Sequence, residues 1–210
     1  MTELPPPART WDSSLDPVWA ARVLGCEPRV GAVRLVCIDG PAGSGKTSLA
    51  GDLAAALTAA RPQLGDVPVV HGDEVYEGWR VVADAPDRVQ AFGLLAWRIR
   101  TWLLDPWRDG RTGRHPTWDW QRDRWGADTE VAARPVVILE GVGLAAAALR
   151  EHAVLSIWLE ADPDVRLARV LSRDGEQLRA QMTSWQHDEH EWHRLDRTRD
   201  SADVRVTTTP

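Results

Sequence analysis

Residues 40–47 read Gly-Pro-Ala-Gly-Ser-Gly-Lys-Thr, and Lys46 is the only lysine in a chain whose 25 Lys+Arg are otherwise arginine. The spacing is G-x-x-x-x-G-K-[ST], which suits one task, cradling phosphates. Glycines let the backbone turn its N–H groups inward around an anion. A helix that starts at the end of the loop adds its positive N-terminus. Lys46 is a compact, mobile cation, and the planar fork of arginine does not replace it there. Thr47 supplies a hydroxyl for Mg²⁺. Gly40, Ala42, Gly43, Ser44, Gly45, Lys46, Thr47 and Ser48 are therefore the candidate nucleotide-binding residues, with ATP and Mg²⁺ as the implied cofactors.

Three carboxylates, Asp39, Asp73 and Glu140, each close an apolar run. Asp73 in "HGDEVYEGW" fits a carboxylate that orients and deprotonates a hydroxyl acceptor, and equally fits a helix N-cap. Arg166, Arg169 and Arg173 recur at i, i+3 and i+7, on one helical face. That face is either solvated or turned toward the charge that develops in phosphoryl transfer. His187, His190 and His193 recur every third residue without a zinc-protease pattern, and a solvated face is expected there.

The elements that must hold these residues alternate. Continuous apolar runs at 32–39, 67–73, 133–141 and 153–162 read as buried parallel strands, with a short last strand at 202–208. Helical periodicity marks 15–25, 47–60, 84–104, 142–152, 162–174 and 175–195, and the turn-rich stretch 105–128 reads as a loop or hairpin. Alternating strands and helices give a parallel sheet covered on both faces, with ligands beyond the carboxyl ends of the strands.

Composition narrows the function. A net charge of −6 argues against a general nucleic-acid binder. The chain has no asparagine and no second lysine, so the Asn-Lys-x-Asp guanine signature of Ras-type GTPases cannot occur. Two cysteines make no disulfide framework, and Cys37 in its apolar run is expected as a reduced core residue. No basic-then-apolar leader and no run of about 18 apolar residues is present, so a cytoplasmic location without membrane contact is expected. The best fit is a small-molecule kinase, its partner a small acceptor bearing a hydroxyl, with homo-oligomerisation left open.

The segments "GPAGSGKTS", "GDEVY", "DAPD", "TWDW", "LEGV" and "DVRLARVLSRD" occur in the order and approximate spacing seen in uridine kinases and their nucleoside kinase relatives, over about residues 32–206. The resemblance implies an α/β three-layer P-loop NTPase fold with a parallel sheet flanked by helices and a helical lid. It further implies residues 1–31 as an N-terminal arm and short helix, and 32–210 as the kinase domain with a lid at about 166–195. Asp73 matches the catalytic base, with Lys46, Arg169 and Arg173 as the catalytic cations. Thr47 and Glu140 match the Mg²⁺ site. Tyr76, Asp84, Trp118 and Trp120 match the nucleoside pocket, with Asp84 at the ribose hydroxyls and the tryptophans around the base. Asp123 stands where the family places a base-reading histidine, and the lid sequence after Asp174 departs from the family. A uridine- or cytidine-like acceptor is the expectation. The alternatives are another small alcohol (a vitamin riboside, sugar or antibiotic) or a nucleotide-binding regulatory protein with little turnover.

Overall fold

A computed structural model describes residues 16–208. Residues 1–15 of the expected N-terminal arm lie outside the described residues. In chain order the elements are α1 (Asp16–Gly25), β1 (Arg34–Asp39), α2 (Lys46–Ala60), β2 (Val69–His71), α3 (Gly72–Val75) and α4 (Arg88–Ile99). There follow α5 (Asp105–Arg108), β3 (Gly113–Asp119), β4 (Arg124–Val131), β5 (Val136–Glu140), α6 (Ala147–Arg150) and β6 (Ala153–Glu160). The chain closes with α7 (Pro163–Asp174), α8 (Arg179–Asp196), α9 (Thr198–Ser201) and β7 (Val204–Thr207).

The main sheet has the order β2-β5-β1-β6-β7, and every pairing in it is parallel. Side chains alternate across it with the period of two that a strand imposes. Leu35, Cys37, Val137 and Leu139 face a core shared with α4, α5 and α8, where Phe92, Trp107, Met182 and Trp185 pack. Val36, Ile38, Val136 and Ile138 face the other side, against α1 and α2 through Trp19, Val23, Leu49, Leu53 and Leu57. The helix expected as part of an N-terminal arm is thus built into the second core layer. Burial pushes the Cys37 thiol far above the ordinary range, which keeps it an unreactive core residue.

Several boundaries differ from expectation for local reasons. The strand expected through Asp73 ends at His71, because the backbone turns at Gly72 into the single turn of α3. The helix expected from residue 84 starts at Arg88: Asp87, not Asp84, caps it, accepting from Gln90 N at 2.8 Å. That helix does not stop at 104 but runs through a π-helical turn, Arg100–Leu104, into α5. The turn-rich stretch forms an antiparallel hairpin, β3–β4, that extends to Val131. The helix expected over 142–152 is one turn, α6, after a glycine-containing loop.

Trp107 ties α5 to this hairpin: it is fully buried and its indole N–H donates to Val131 O at 2.9 Å. Trp107→Ala should cost about 3–5 kcal/mol of unfolding free energy in urea titrations, through the cavity and the orphaned carbonyl.

Candidate active site

The carboxyl ends of β1, β2 and β5 converge on the Gly-rich loop. Two of its glycines are sterically obligatory. A Cβ on Gly40 would lie 1.9 Å from Leu159 O, and one on Gly43 would lie 2.4 Å from Arg166 O. Gly45 caps α2 at φ 102, in the left-handed region that glycine favours. Lys46 is 8% exposed and bends back over the loop, donating to Gly40 O at 2.8 Å and Pro41 O at 3.0 Å. Ser44 is buried within the same loop, and Ala42 is half-buried against the core that holds Phe92 and Trp185. Thr47 and Ser48 lie exposed at the start of α2.

Thr47 Oγ1 donates to Glu140 Oε1 at 3.1 Å. Two hard oxygen donors at the edge of a phosphate cradle are a fitting donor set for Mg²⁺, which keeps water and phosphate oxygens as its remaining ligands. Among the described residues no group of three or more His, Cys, Asp and Glu could hold a metal ion. Sequence reasoning missed His71, whose Nδ1 lies 2.6 Å from Glu140 Oε1. The Glu140 hydrogen bond holds the His71 pKa above its usual value, against the opposing effect of burial. Its only signal in the sequence was its place at the end of the second apolar run.

Asp73 opens onto the cleft, exposed, from the first turn of α3. Desolvation first, and then the charge of Glu140, raise its pKa, while Lys46 and Arg173 pull it down. Glu140, Lys46 and Arg173 therefore all act on this carboxyl. Trp120, 42% exposed, donates its indole N–H to the Asp73 carbonyl at 2.8 Å. Trp79 meets Trp120 edge-on at 5.9 Å and Trp185 at 6.0 Å, so an aromatic wall rises beside Asp73. Arg88 lies over Trp185 at 5.4 Å. Neither Trp79 nor Trp185 was singled out in the sequence.

Other expected pocket residues are placed differently. Tyr76 is 1% exposed, and its hydroxyl donates to Val142 O at 2.7 Å, so it packs in the core. Trp118 is buried against Trp125, edge-on at 5.0 Å. Asp123, at φ 49, packs on the Gly78 turn. Asp84 is exposed in the loop before α4. Glu77 fixes that loop: it accepts from Ala83 N and from Trp125 Nε1, and pairs with Arg98 at 3.3 Å.

The arginine face divides. Arg166 is buried and pairs with Glu189 of α8 at 2.8 Å, with its guanidinium also 3.3 Å from Ala42 O. Glu189 in turn accepts from Ala42 N and Trp185 Nε1, at 2.8 and 2.9 Å. This pair grips both polar groups of one P-loop residue. Arg169 donates to Gly43 O at 3.3 Å and Thr208 Oγ1 at 3.2 Å. Arg173 reaches outward, bonded twice to Asp174. His193, expected on a solvated face, is 6% exposed and holds Asp39 Oδ1 at 3.1 Å, because α8 presents Met182, Trp185, Glu189 and His193 inward at helical spacing. That spacing was the signal missed in a segment rich in histidine and acid. The region expected as a lid, about 166–195, thus supplies core and P-loop contacts.

The sequence profile of the phosphoribulokinase/uridine kinase family matches residues 35–210. The chain belongs to this family. Membership makes it a P-loop kinase, a phosphotransferase of a family that uses ATP, typically with Mg²⁺. Among solved structures it is similar to a possible uridine kinase from Bacillus stearothermophilus, with TM-score 0.63, 18% identity, and 92% of this chain and 97% of that one covered. It is also similar to a candidate fructose transport system kinase from Silicibacter sp. TM1040, with TM-score 0.61, 24% identity, and 91% and 98% covered. At these identities the likeness is one of fold. No curated protein matches the chain. No helix among the described residues is long and apolar enough to cross a membrane.

Arg166→Met should destabilise the kinase by about 3–5 kcal/mol in denaturant titrations, because Glu189 is left buried without its cation. Asp73→Asn should raise the melting temperature at neutral pH. The folded-state pKa of Asp73 is raised, so ionising it costs the wild type stability as pH rises from the ordinary carboxylate value through the raised one. The advantage of the variant should vanish below that interval, where the wild-type carboxyl is protonated; paired melting curves across pH check this.

Proposed function

We propose that this family member transfers the γ-phosphoryl of ATP to the hydroxyl of a small, nucleoside-like acceptor. The observation that carries the reading is Asp73, a carboxyl of raised pKa in the field of Glu140, Lys46 and Arg173 and beside the Trp120–Trp79 wall. In this reading residues 40–48 bind the triphosphate through backbone N–H groups. Lys46 leaves the loop carbonyls for the terminal phosphates, and Arg169 and Arg173 face the charge spread over the transferred oxygens. Thr47 and Glu140 would hold Mg²⁺, which would supply positive charge against the phosphates. Asp73 accepts the hydroxyl proton as the acceptor oxygen bonds to phosphorus. A raised pKa brings this base nearer the operating pH. Trp120 and Trp79 give a flat ring a surface to lie against, and Asp84 stands on the loop that could reach sugar hydroxyls.

A second reading keeps the chemistry and changes the acceptor to a sugar or other small alcohol. The core position of Tyr76, the burial of Trp118 and the aspartate at 123 favour it, since these were the positions through which the family resemblance implied base recognition. Similarity to a candidate fructose transport system kinase adds to it.

ADP release from MgATP, measured across nucleosides, sugars and vitamin ribosides, separates the readings. Turnover with uridine or cytidine that falls about 10²–10⁴-fold in Asp73→Asn is the expected result. Turnover confined to another alcohol supports the second reading. ATP binding with no acceptor-stimulated ADP release would favour a regulatory nucleotide-binding role.

A further inference from the structure

Against the P-loop, at Pro41, lies a cavity of about 260 Å³. Its walls include Pro41 of the loop itself, Gln186 and His193 of α8, and Arg194, Arg197 and Arg199 around the α8–α9 junction. Two polar atoms in these walls are buried without a hydrogen-bond partner among the described residues: His193 Nδ1 and Gln186 Nε2. Such groups are costly unless something satisfies them. The other ring nitrogen of His193 faces the Asp39 carboxylate, which only accepts, so Nε2 carries a proton. Nδ1 is then the ring nitrogen left without a partner.

The charges agree with an anion. Arg166 and Arg199 also line the cavity and are matched by Glu189 and Glu160, while Arg194 is matched by Glu191. Arg197 has no carboxylate partner among the described residues. The carboxylates in the wall are Glu189, already committed to Arg166, and Asp200, 3.9 Å from Arg199 and 3.6 Å from Arg205. Arg197 also holds an unusual place: it closes α8 at φ 56, ψ 31, where glycine or asparagine is the usual choice. Its side chain is kept despite that backbone cost.

We infer that this cavity is a second binding site, for a small phosphate-bearing anion, held by Arg197, Gln186 and His193 and coupled to the P-loop. The anion is free phosphate or a phosphomonoester: the guanidinium and amide N–H groups are donors suited to its oxygens, and His193 Nδ1 can accept from a phosphate hydroxyl. Coupling has two short routes. His193 bonds Asp39, which accepts from Gly40 N at 2.7 Å. Glu189, in the same wall, accepts from Ala42 N. An anion drawn onto His193 biases the loop that receives the nucleotide, and by reciprocity nucleotide biases the anion. This inference stands whichever acceptor the kinase uses.

The test is equilibrium dialysis of radiolabelled inorganic phosphate against full-length protein whose P-loop is filled with Mg²⁺ and a non-hydrolysable ATP analogue. One phosphate per chain is expected, weakened about tenfold or more in Arg197→Gly and in Gln186→Leu. Arg197→Gly relieves the left-handed backbone, so its melting temperature should equal or exceed that of the wild type, which separates lost binding from lost folding. Competition by glycerol 3-phosphate tighter than by phosphate assigns the site to phosphomonoesters; weaker competition assigns it to free phosphate. No binding with the P-loop filled, or binding equal in wild type and both variants, overturns the site. An ATP-analogue affinity that is the same with and without saturating phosphate overturns the coupling.

Discussion

The buried carboxylate of Asp39 is the constraint on which the rest of the site depends. It is fully enclosed and accepts from Gly40 N, Gly143 N, Ala145 N and His193 Nε2, at 2.7–3.1 Å. Burial by itself would raise its pKa. The His193 hydrogen bond and charge, the Ala145 N–H and the Lys46 charge outweigh burial and hold the pKa below the usual range. A carboxylate kept ionised in the interior must keep all of these partners, since losing any one leaves charge uncompensated. So the start of the P-loop, the loop after β5 and helix α8 are fixed to one another at a single point.

From that point the cleft is assembled in layers. The β5 loop, held by Asp39, carries Val142, whose carbonyl takes the Tyr76 hydroxyl. Tyr76 follows Gly72, where a Cβ would lie 2.6 Å from that hydroxyl, so glycine lets α3 dock close to the sheet. Docking α3 sets where Asp73 stands. On the other side, α8 holds Ala42 through Glu189 and touches Tyr76 through Trp185, with ring centres 5.7 Å apart. The P-loop and Asp73 are thereby referred to the same helix.

This arrangement gives α8 a double character. Its inward face packs on the core and the P-loop, and two residues of that face, Glu189 and His193, also line the cavity beside the P-loop together with Gln186 and Arg194. The groups between the P-loop and that cavity, Asp39, Arg166, Glu189 and His193, are few and buried. Low local dielectric strengthens such interactions and makes their absence costly.

The parallel sheet, the phosphate loop and the convergence of Asp39, Asp73 and Glu140 at one edge are legible in the sequence alone, which leaves 105–128 open between a loop and a hairpin. These follow from local rules: continuous apolar runs make buried parallel strands, and a glycine-lysine spacing admits one loop geometry. The tertiary structure decided which polar residues work and which pack. Arg166 and Arg169 share a helical face, yet only the position of α8 turns Arg166 into a buried ion pair. Tyr76 and Trp118 are aromatics of the expected type, yet packing against Val142 and Trp125 withdraws them. His71, Glu189 and His193 gain their roles from partners 69, 147 and 154 residues away. Periodicity reports which face of an element is apolar; the partner brought opposite a given side chain depends on how distant elements dock, and no local pattern encodes that.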